Sequence, residues 1–420
     1  MQAMEVVVMG AGITGVTAAY VLASRGHKVT VLEQEKAPAL QTSFSNGAQL
    51  SYSHAQPWAN PAVFSKLLGW MFRSDAPLVL RPRAEWRMIK WSLMFLANCS
   101  EDRSKENCER MWRISSYSRT KMAQIRAETG VEFDFLPNGI LHVFSDRKSY
   151  EGAIKQAEYQ ETLGCKEHIF SHAQCVEKEP ALAHAKKDII GGIYSDTDES
   201  GDIHLFTTRL ADYCTEHLGV QFFYGASVLS IAQEKGGRVT SVKTTQGQFS
   251  GDVYVLALGS YSPILAEPLG VKLPIYPMKG YSITVPAWED APFVSITDDE
   301  KKVVFSRLGD KMRAAGTAEF AGYNTEVRAA RIQQIMSSLT DLFPHASVDD
   351  VQKWACIRPQ TPDGPPIIGR TEIDNLYLNT GHGTLGWTQG AGSAYLLADI
   401  MEGKEPEIRA GGLELSRYRK

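Results

Sequence analysis

The chain has 420 residues, 43% hydrophobic and 22% charged, with a formal net charge of -4. That length is past the point where one hydrophobic core stops growing, so two intertwined domains are expected, and the composition excludes a disordered or fibrous chain. No global basicity points to nucleic acid, and the six cysteines (Cys99, Cys108, Cys165, Cys175, Cys214, Cys356) lack the clustering of a zinc site or a secreted disulfide framework.

A reducing, cytoplasmic setting fits those thiols best. The first strand opens at Met4, which leaves no room for a cleavable signal peptide, and no apolar run reaches the length needed to span a bilayer. The Val-rich run Met4–Met9 predicts a strand, followed by the turn Gly10-Ala11-Gly12-Ile13-Thr14-Gly15 and a helix ending near Arg25-Gly26. Gly10 permits the turn, Gly12 lets a pyrophosphate approach the backbone, and Gly15 allows close helix–strand packing. The helix start, with Ile13 and Thr14, turns its unpaired N–H groups and positive dipole end toward phosphate. Val29–Glu33 is a second buried strand, and its terminal acid is placed to accept hydrogen bonds from a ribose, with Gln34 beside it. Strand, glycines, helix and acid together specify an adenine dinucleotide.

The next segments favour FAD over NAD. Thr42, Ser43, Asn46, Gly47, Ala48 and Gln49 form a hydroxyl- and amide-rich loop suited to the ribityl and pyrophosphate part of a long, buried cofactor. Residues 54–115 are helix-forming and rich in tryptophan, and residues 139–145 alternate like a strand. Phe206–Leu218 reads as an amphipathic helix, followed by strands over 220–224 and 226–231 (with Val228) and by hairpin turns at Gly236-Gly237 and Gln246-Gly247. Asp252–Ser260 is an apolar, doubly buried parallel strand, and its end, with Ala257 and Gly259, brings a loop back to the dinucleotide. Residues 275–320 alternate like strands. A glycine-rich turn, Gly381-His382-Gly383-Thr384-Leu385-Gly386-Trp387-Thr388, opens a helix over Gln389–Met401, and this second helix start can stabilise negative charge on a reduced flavin ring. The expected fold is therefore α/β: a Rossmann-like FAD-binding domain (1–60, 203–265, 355–420) with a discontinuous α+β substrate-binding domain (61–202, 266–354).

In this order, Gly10 to Gly15, Thr42-Ser43 with Asn46 to Gln49, Pro57-Trp58-Ala59, Gly201-Asp202, Ala257 to Tyr261, Tyr276 to Ser282, Arg358 to Gly364 and Asn379 to Thr388 resemble the D-amino-acid oxidase and glycine oxidase group of flavoproteins. Within that group the likeness is to the bacterial D-amino-acid dehydrogenase small subunits, along essentially the whole chain. The resemblance implies FAD, an amino-acid substrate, and release of a 2-oxo acid and ammonia after hydride transfer from Cα to flavin N5. It also implies a quinone or another respiratory acceptor, and Arg358 as the partner of the substrate carboxylate, a role that suits a planar, bidentate guanidinium. Tyr281 is a second candidate for the carboxylate or for closing the site. His54 and His382 receive no proton-transfer role.

Two features are left with alternative readings. Cys356 stands where this group commonly has glycine, and monomeric sarcosine oxidases attach flavin through a cysteine at a similar place; the alternatives are covalent FAD and a buried free thiol. Residues 64–96 interleave Phe64, Leu67, Leu68, Trp70, Met71, Phe72 and a second apolar run from Trp86 to Leu96 with Lys66, Arg73, Arg81, Arg83, Arg87 and Lys90. This segment is either a peripheral contact with the inner membrane or core with a solvated basic face. Rival functions are an oxygen-using oxidase of glycine, sarcosine or D-proline, and a non-catalytic flavin-binding redox partner.

Overall fold

A computed structural model describes residues 2–54, 56–61, 78–80, 85–234 and 237–419. They build an α/β fold on two large sheets. The first sheet has six strands in the order Ile367–Arg370, Leu376–Thr380, Val253–Leu256, Glu5–Met9, Lys28–Glu33, Gln221–Tyr224. Its pairs are parallel except the antiparallel pair formed by Ile367–Arg370 and Leu376–Thr380. The central strands are apolar on both faces because both faces are covered. Val6, Val8, Val31 and Val255 pack against the helices Ile13–Ser24, Ile203–Leu218 and Gly386–Glu402, while Val7, Met9, Leu32 and Leu256 pack against a small antiparallel sheet carrying Ile231, Val239 and Val242.

The expected strand–turn–helix–strand unit is present as Glu5–Met9, Ile13–Ser24 and Lys28–Glu33. The helix predicted from Phe206 begins instead at Ile203, because the Asp202 carboxylate accepts from the His204 and Leu205 N–H groups and caps an earlier turn. The last helix starts at Gly386 rather than Gln389. The strand expected over 226–231 runs from Val228 to Gln233, and Gly236 of the predicted turn lies outside the described residues.

The second, nine-stranded sheet has Tyr276–Pro286 near one end, antiparallel to both Gln352–Gln360 and Lys311–Phe320. Alternation along Tyr276–Pro286 sends Tyr281, Ile283 and Val285 into an apolar cluster with Met312, Ala314 and residues of the helix Ala329–Leu342. The other face is polar toward its Ser282 and Thr284 end, where the sheet grips the loop before Gln49. Ser282 Oγ donates to Ser45 O at 2.7 Å, Ser306 Oγ to Gly47 O at 2.9 Å, and Arg313 Nη1 to Asn46 O at 3.3 Å. Gln49 Nε2 reaches Ser295 Oγ and Thr297 Oγ1, each at 3.0 Å. Because Gln352–Gln360 pairs along its length with Tyr276–Pro286, residues 355–360 join the second sheet by pairing, although the boundary drawn at 355 grouped them with the nucleotide elements.

Candidate active site

An elongated cavity opens at the carboxyl ends of Glu5–Met9, Lys28–Glu33 and Val253–Leu256, where parallel sheets bind nucleotides. Gly10 has φ +104, and its N–H donates to Leu32 O at 2.8 Å. A Cβ at Gly15 would stand 1.9 Å from Gly10 O, so only glycine lets the helix approach the turn. The Ile13 N–H donates to Ser43 Oγ at 3.1 Å, which brings the hydroxyl loop onto the helix start.

Glu33 ends its strand 8% exposed, with Oε2 accepting from the Ala11 N–H at 2.7 Å and Oε1 from the Glu35 N–H at 2.9 Å. Burial raises its pKa, and these backbone donors pull it back. A carboxylate has lone pairs to spare beyond two such bonds, so Glu33 can also receive a ribose hydroxyl.

Gly10, Gly12, Ile13, Thr14, Glu33, Gln34, Thr42, Ser43, Asn46, Val228, Ala257, Gly259, His382, Gly383, Thr384, Gly386 and Trp387 all line the cavity. Gly15 lies behind the turn, Gly47, Ala48 and Gln49 run onto the second sheet, and Gly381, Leu385 and Thr388 stand outside the lining. Thr388 Oγ1 instead accepts from the Ser51 N–H at 3.0 Å. The expected backbone contribution near Gly383 is narrower than the glycine pattern suggests, because the Gly383 and Leu385 N–H groups are spent on Pro359 O and His382 O. Apolar lining from Ile264 and Leu265 is not legible in the sequence; these residues follow Tyr261 in a short helical stretch without a motif of their own.

Arg358 reaches the cavity wall from Gln352–Gln360. Its Nη1 donates to Thr317 O at 3.1 Å, and no acidic partner is present among the described residues. Burial pushes its pKa down to about 10, with only weak support from the Cys356 thiol. The guanidinium lies across Gly280, where a Cβ would sit 2.2 Å from Arg358 Cζ. Gly280 was missed, although strand alternation offered the signal: it and Tyr281 must face opposite ways.

Tyr281 therefore does not meet Arg358. Its hydroxyl donates to Glu319 Oε2 at 2.6 Å on the other side of the strand, and burial raises its pKa. That register turns the residue expected to contact the carboxylate or close the site away from Arg358 and onto Glu319. Cys356 is likewise absent from the lining. Its Sγ lies 3.4 Å from Thr42 Oγ1 and 3.8 Å from Gln41 Oε1, and burial raises its pKa. A neutral thiol facing the loop is a poor nucleophile.

His382 is fully buried, with Nε2 2.9 Å from Ser393 Oγ, and burial pushes its pKa down to about 3. It is a neutral structural imidazole. The lining suits a long dinucleotide: a helix start whose N-cap is Gly12, an acid at the ribose position and a hydroxyl loop between two sheets.

Residues 5–400 match the DAO family, described as FAD dependent oxidoreductase. A D-amino acid dehydrogenase of Paramagnetospirillum magneticum is 46% identical over 419 residues, covering 99% of each chain. One from Allorhizobium ampelinum is 43% identical over 417 residues, with 99% of each chain covered. The crystal structure of glycine oxidase from Geobacillus kaustophilus superposes with a TM-score of 0.76 at 20% identity, covering 100% of both chains. With a dinucleotide cavity of this form and a family match over nearly its whole length, the chain belongs to the DAO family of FAD-dependent oxidoreductases.

Proposed function

We propose that the protein oxidises D-amino acids to 2-oxo acids and ammonia and passes the electrons to a quinone or another respiratory acceptor. The observation that carries this reading is Arg358, a half-buried cation without an acidic partner among the described residues, on the wall of the cofactor cavity. Such a charge is costly unless a ligand supplies the counter-ion, and an α-carboxylate matches the guanidinium fork. The names of the relatives support the D configuration and the dehydrogenase reading.

FAD, when bound, supplies the acceptor for the Cα hydride at its N5. The chain's own residues hold and orient. Glu33 and the helix start at Ile13 hold the adenosine and phosphate end, Arg358 fixes the carboxylate, and the apolar wall at Ile264 and Leu265 excludes water. The neutral His382 donates no proton at physiological pH. Once the substrate amine has lost its proton to solvent, its lone pair assists, and no protein base is needed at Cα.

The test is anaerobic bleaching of the flavin by D- and L-amino acids, glycine, sarcosine and D-proline, followed by reoxidation with air or a quinone analogue. Bleaching by D-amino acids with recovery through the quinone supports the proposal. Bleaching only by another substrate class redirects the substrate claim, and recovery with peroxide in air replaces the dehydrogenase with an oxidase. Failure to bleach a folded, FAD-loaded protein removes the catalytic reading.

For delivery of electrons, we infer that the helix Trp86–Ala97 rests on an anionic lipid surface. Trp86, Ile89, Leu93 and Leu96 form one exposed apolar stripe, 72%, 46%, 60% and 40% accessible, while Met88 and Trp91 face the core. Lys90 is exposed beside the stripe, and Arg87, also exposed, is paired with Glu267. The earlier part of the cationic, aromatic segment, from Phe64 to Phe72 with Lys66, Arg73, Arg81 and Arg83, lies outside the described residues. No described helix is long and apolar enough to cross a membrane. Flotation with vesicles containing anionic lipid checks the inference: the wild type is expected to float and Leu93→Glu to stay behind, and equal behaviour of the two would overturn it.

A further inference from the structure

The helical stretch that follows Val253–Leu256 forms a part of the cavity wall that also meets solvent. Ser260, Tyr261, Ile264 and Leu265 line the cavity, and Ile264 is 41% accessible, so the wall ends in an apolar rim here. One exposed isoleucine is ordinary in itself; its neighbours make it part of a larger face. Ile264 and Glu267 stand three residues apart on one helical side, and Glu267 pairs with Arg87 at the start of the helix Trp86–Ala97. The rim therefore abuts the exposed stripe that begins at Trp86.

The rim also lies at the end of the cavity where Arg358 stands. Ser260 Oγ donates to Ile357 O at 3.4 Å, and a Cβ at Gly259 would sit 3.8 Å from Pro359 Cγ, so the turn leading to Tyr261 rests against both neighbours of Arg358. Tyr323 props Tyr261 from outside. The two rings are 5.5 Å apart, the Tyr323 hydroxyl donates to Ser260 O at 3.0 Å, and Arg87 lies beside that hydroxyl. The Tyr261 hydroxyl, by contrast, has no hydrogen-bond partner among the described residues, which leaves a phenol donor free on a half-exposed, cavity-lining side chain.

We propose that this rim is the docking site of a lipid-soluble quinone: the Tyr261 hydroxyl donates to a quinone carbonyl, Ile264 meets the ring substituents, and the apolar tail runs out toward the stripe of the helix Trp86–Ala97. The quinone takes two electrons and two protons from the reduced cofactor and leaves as quinol, and the cofactor returns to its oxidised form. This rests on the acceptor and lipid readings given above and on Arg358 marking the reacting end. An apolar rim excludes water yet admits an apolar ligand, and an acceptor arriving along the stripe passes from lipid to cavity without crossing water.

The experiment compares FAD-loaded wild type, Tyr261→Phe and Ile264→Glu, with a short-chain ubiquinone analogue as the probe. Calorimetry reads binding of the analogue to the oxidised protein. After anaerobic reduction with D-alanine, the second readout is the ratio of reoxidation rates with the analogue and with ferricyanide, a water-soluble anion that needs no apolar rim. Loss of one hydrogen bond in Tyr261→Phe should weaken binding and lower the ratio roughly five- to tenfold. Ile264→Glu sets a carboxylate where the ring substituents rest and should lower both by more than about tenfold. General damage to the fold slows both acceptors and leaves the ratio where it was. Should Ile264→Glu fail to load FAD, Tyr261→Phe decides. Wild-type binding and ratio in the variants, or no binding of the analogue by the wild type, would overturn the proposal. Failure of D-alanine to bleach the wild type would instead overturn the substrate reading; dithionite then reduces the protein, and the same two readouts still decide the docking site.

Discussion

Gly280→Ala isolates the placement of Arg358 from the stability of the fold. The added Cβ would lie 2.2 Å from Arg358 Cζ and 2.5 Å from Nη1, inside any tolerable contact. Gly280 does not have a positive φ, so the backbone accepts alanine, and the obstructing atoms are the far end of a flexible side chain. The guanidinium is the part that gives way, by about 1 Å or more if an ordinary contact of at least ~3.4 Å is restored. A displacement of that size in a positioning group costs about 100-fold in kcat/KM, or ~2.7 kcal/mol of transition-state stabilisation. The fold should lose little, within about 1 kcal/mol, because no backbone or packed core atom has to move. Stopped-flow flavin bleaching with D-alanine, alongside Tm and the FAD-to-protein ratio, gives the three readouts. A variant that is folded, fully loaded with FAD and within about twofold of the wild-type kcat/KM would refute the placement of the carboxylate at Arg358. A collapse in Tm would instead refute the claim that only the guanidinium yields.

Gly15→Ala should behave in the opposite manner: its Cβ meets the backbone oxygen of Gly10 at 1.9 Å, neither partner can give, and a cost of about 3 kcal/mol or more should appear as loss of bound FAD on purification. The half-buried Glu167 and the buried Asp198 set a pH dependence. Burial raises Glu167 to about 8, with help from the Asp198 charge, and raises Asp198 to about 7 against the Ser53 hydrogen bonds. Both folded values lie above the unfolded ones, so the native state holds more protons between about pH 4 and 8 and stability falls as pH rises, by up to ~1.4 kcal/mol per pH unit for each group. Tm should decline across pH 5–8, and Glu167→Gln should flatten the slope; an unchanged slope would discard this account. For Cys356, acid precipitation of the wild type should leave a colourless pellet and yellow supernatant, and a yellow pellet that turns colourless in Cys356→Ala would restore the covalent reading.

The sequence by itself determined the nucleotide half. The strand–turn–helix–strand unit, the acid at Glu33, the hydroxyl loop and the apolar parallel strands depend on neighbours within a few residues, and the structure keeps them with small changes of boundary. The Ile203 start was displaced only because the Asp202 cap outweighed the hydrophobic period that suggested Phe206. FAD and the family were legible for the same reason, since glycine spacing and the RPQTPDG segment are local patterns.

Only the tertiary structure decided what surrounds Arg358. Whether it has an acidic partner depends on strands far apart in the chain, and among the described residues the answer is a backbone carbonyl at Thr317 rather than an acid. Tyr281 was separated from the site by one step of strand alternation, which no motif reveals until the register is known. Thr317 left no local trace, because a β-bulge arises from the mismatch between two strands and belongs to neither sequence alone. Cys356 turned toward Thr42 for the same reason: a thiol's environment is made by elements hundreds of residues apart, and burial there raises its pKa and keeps it protonated.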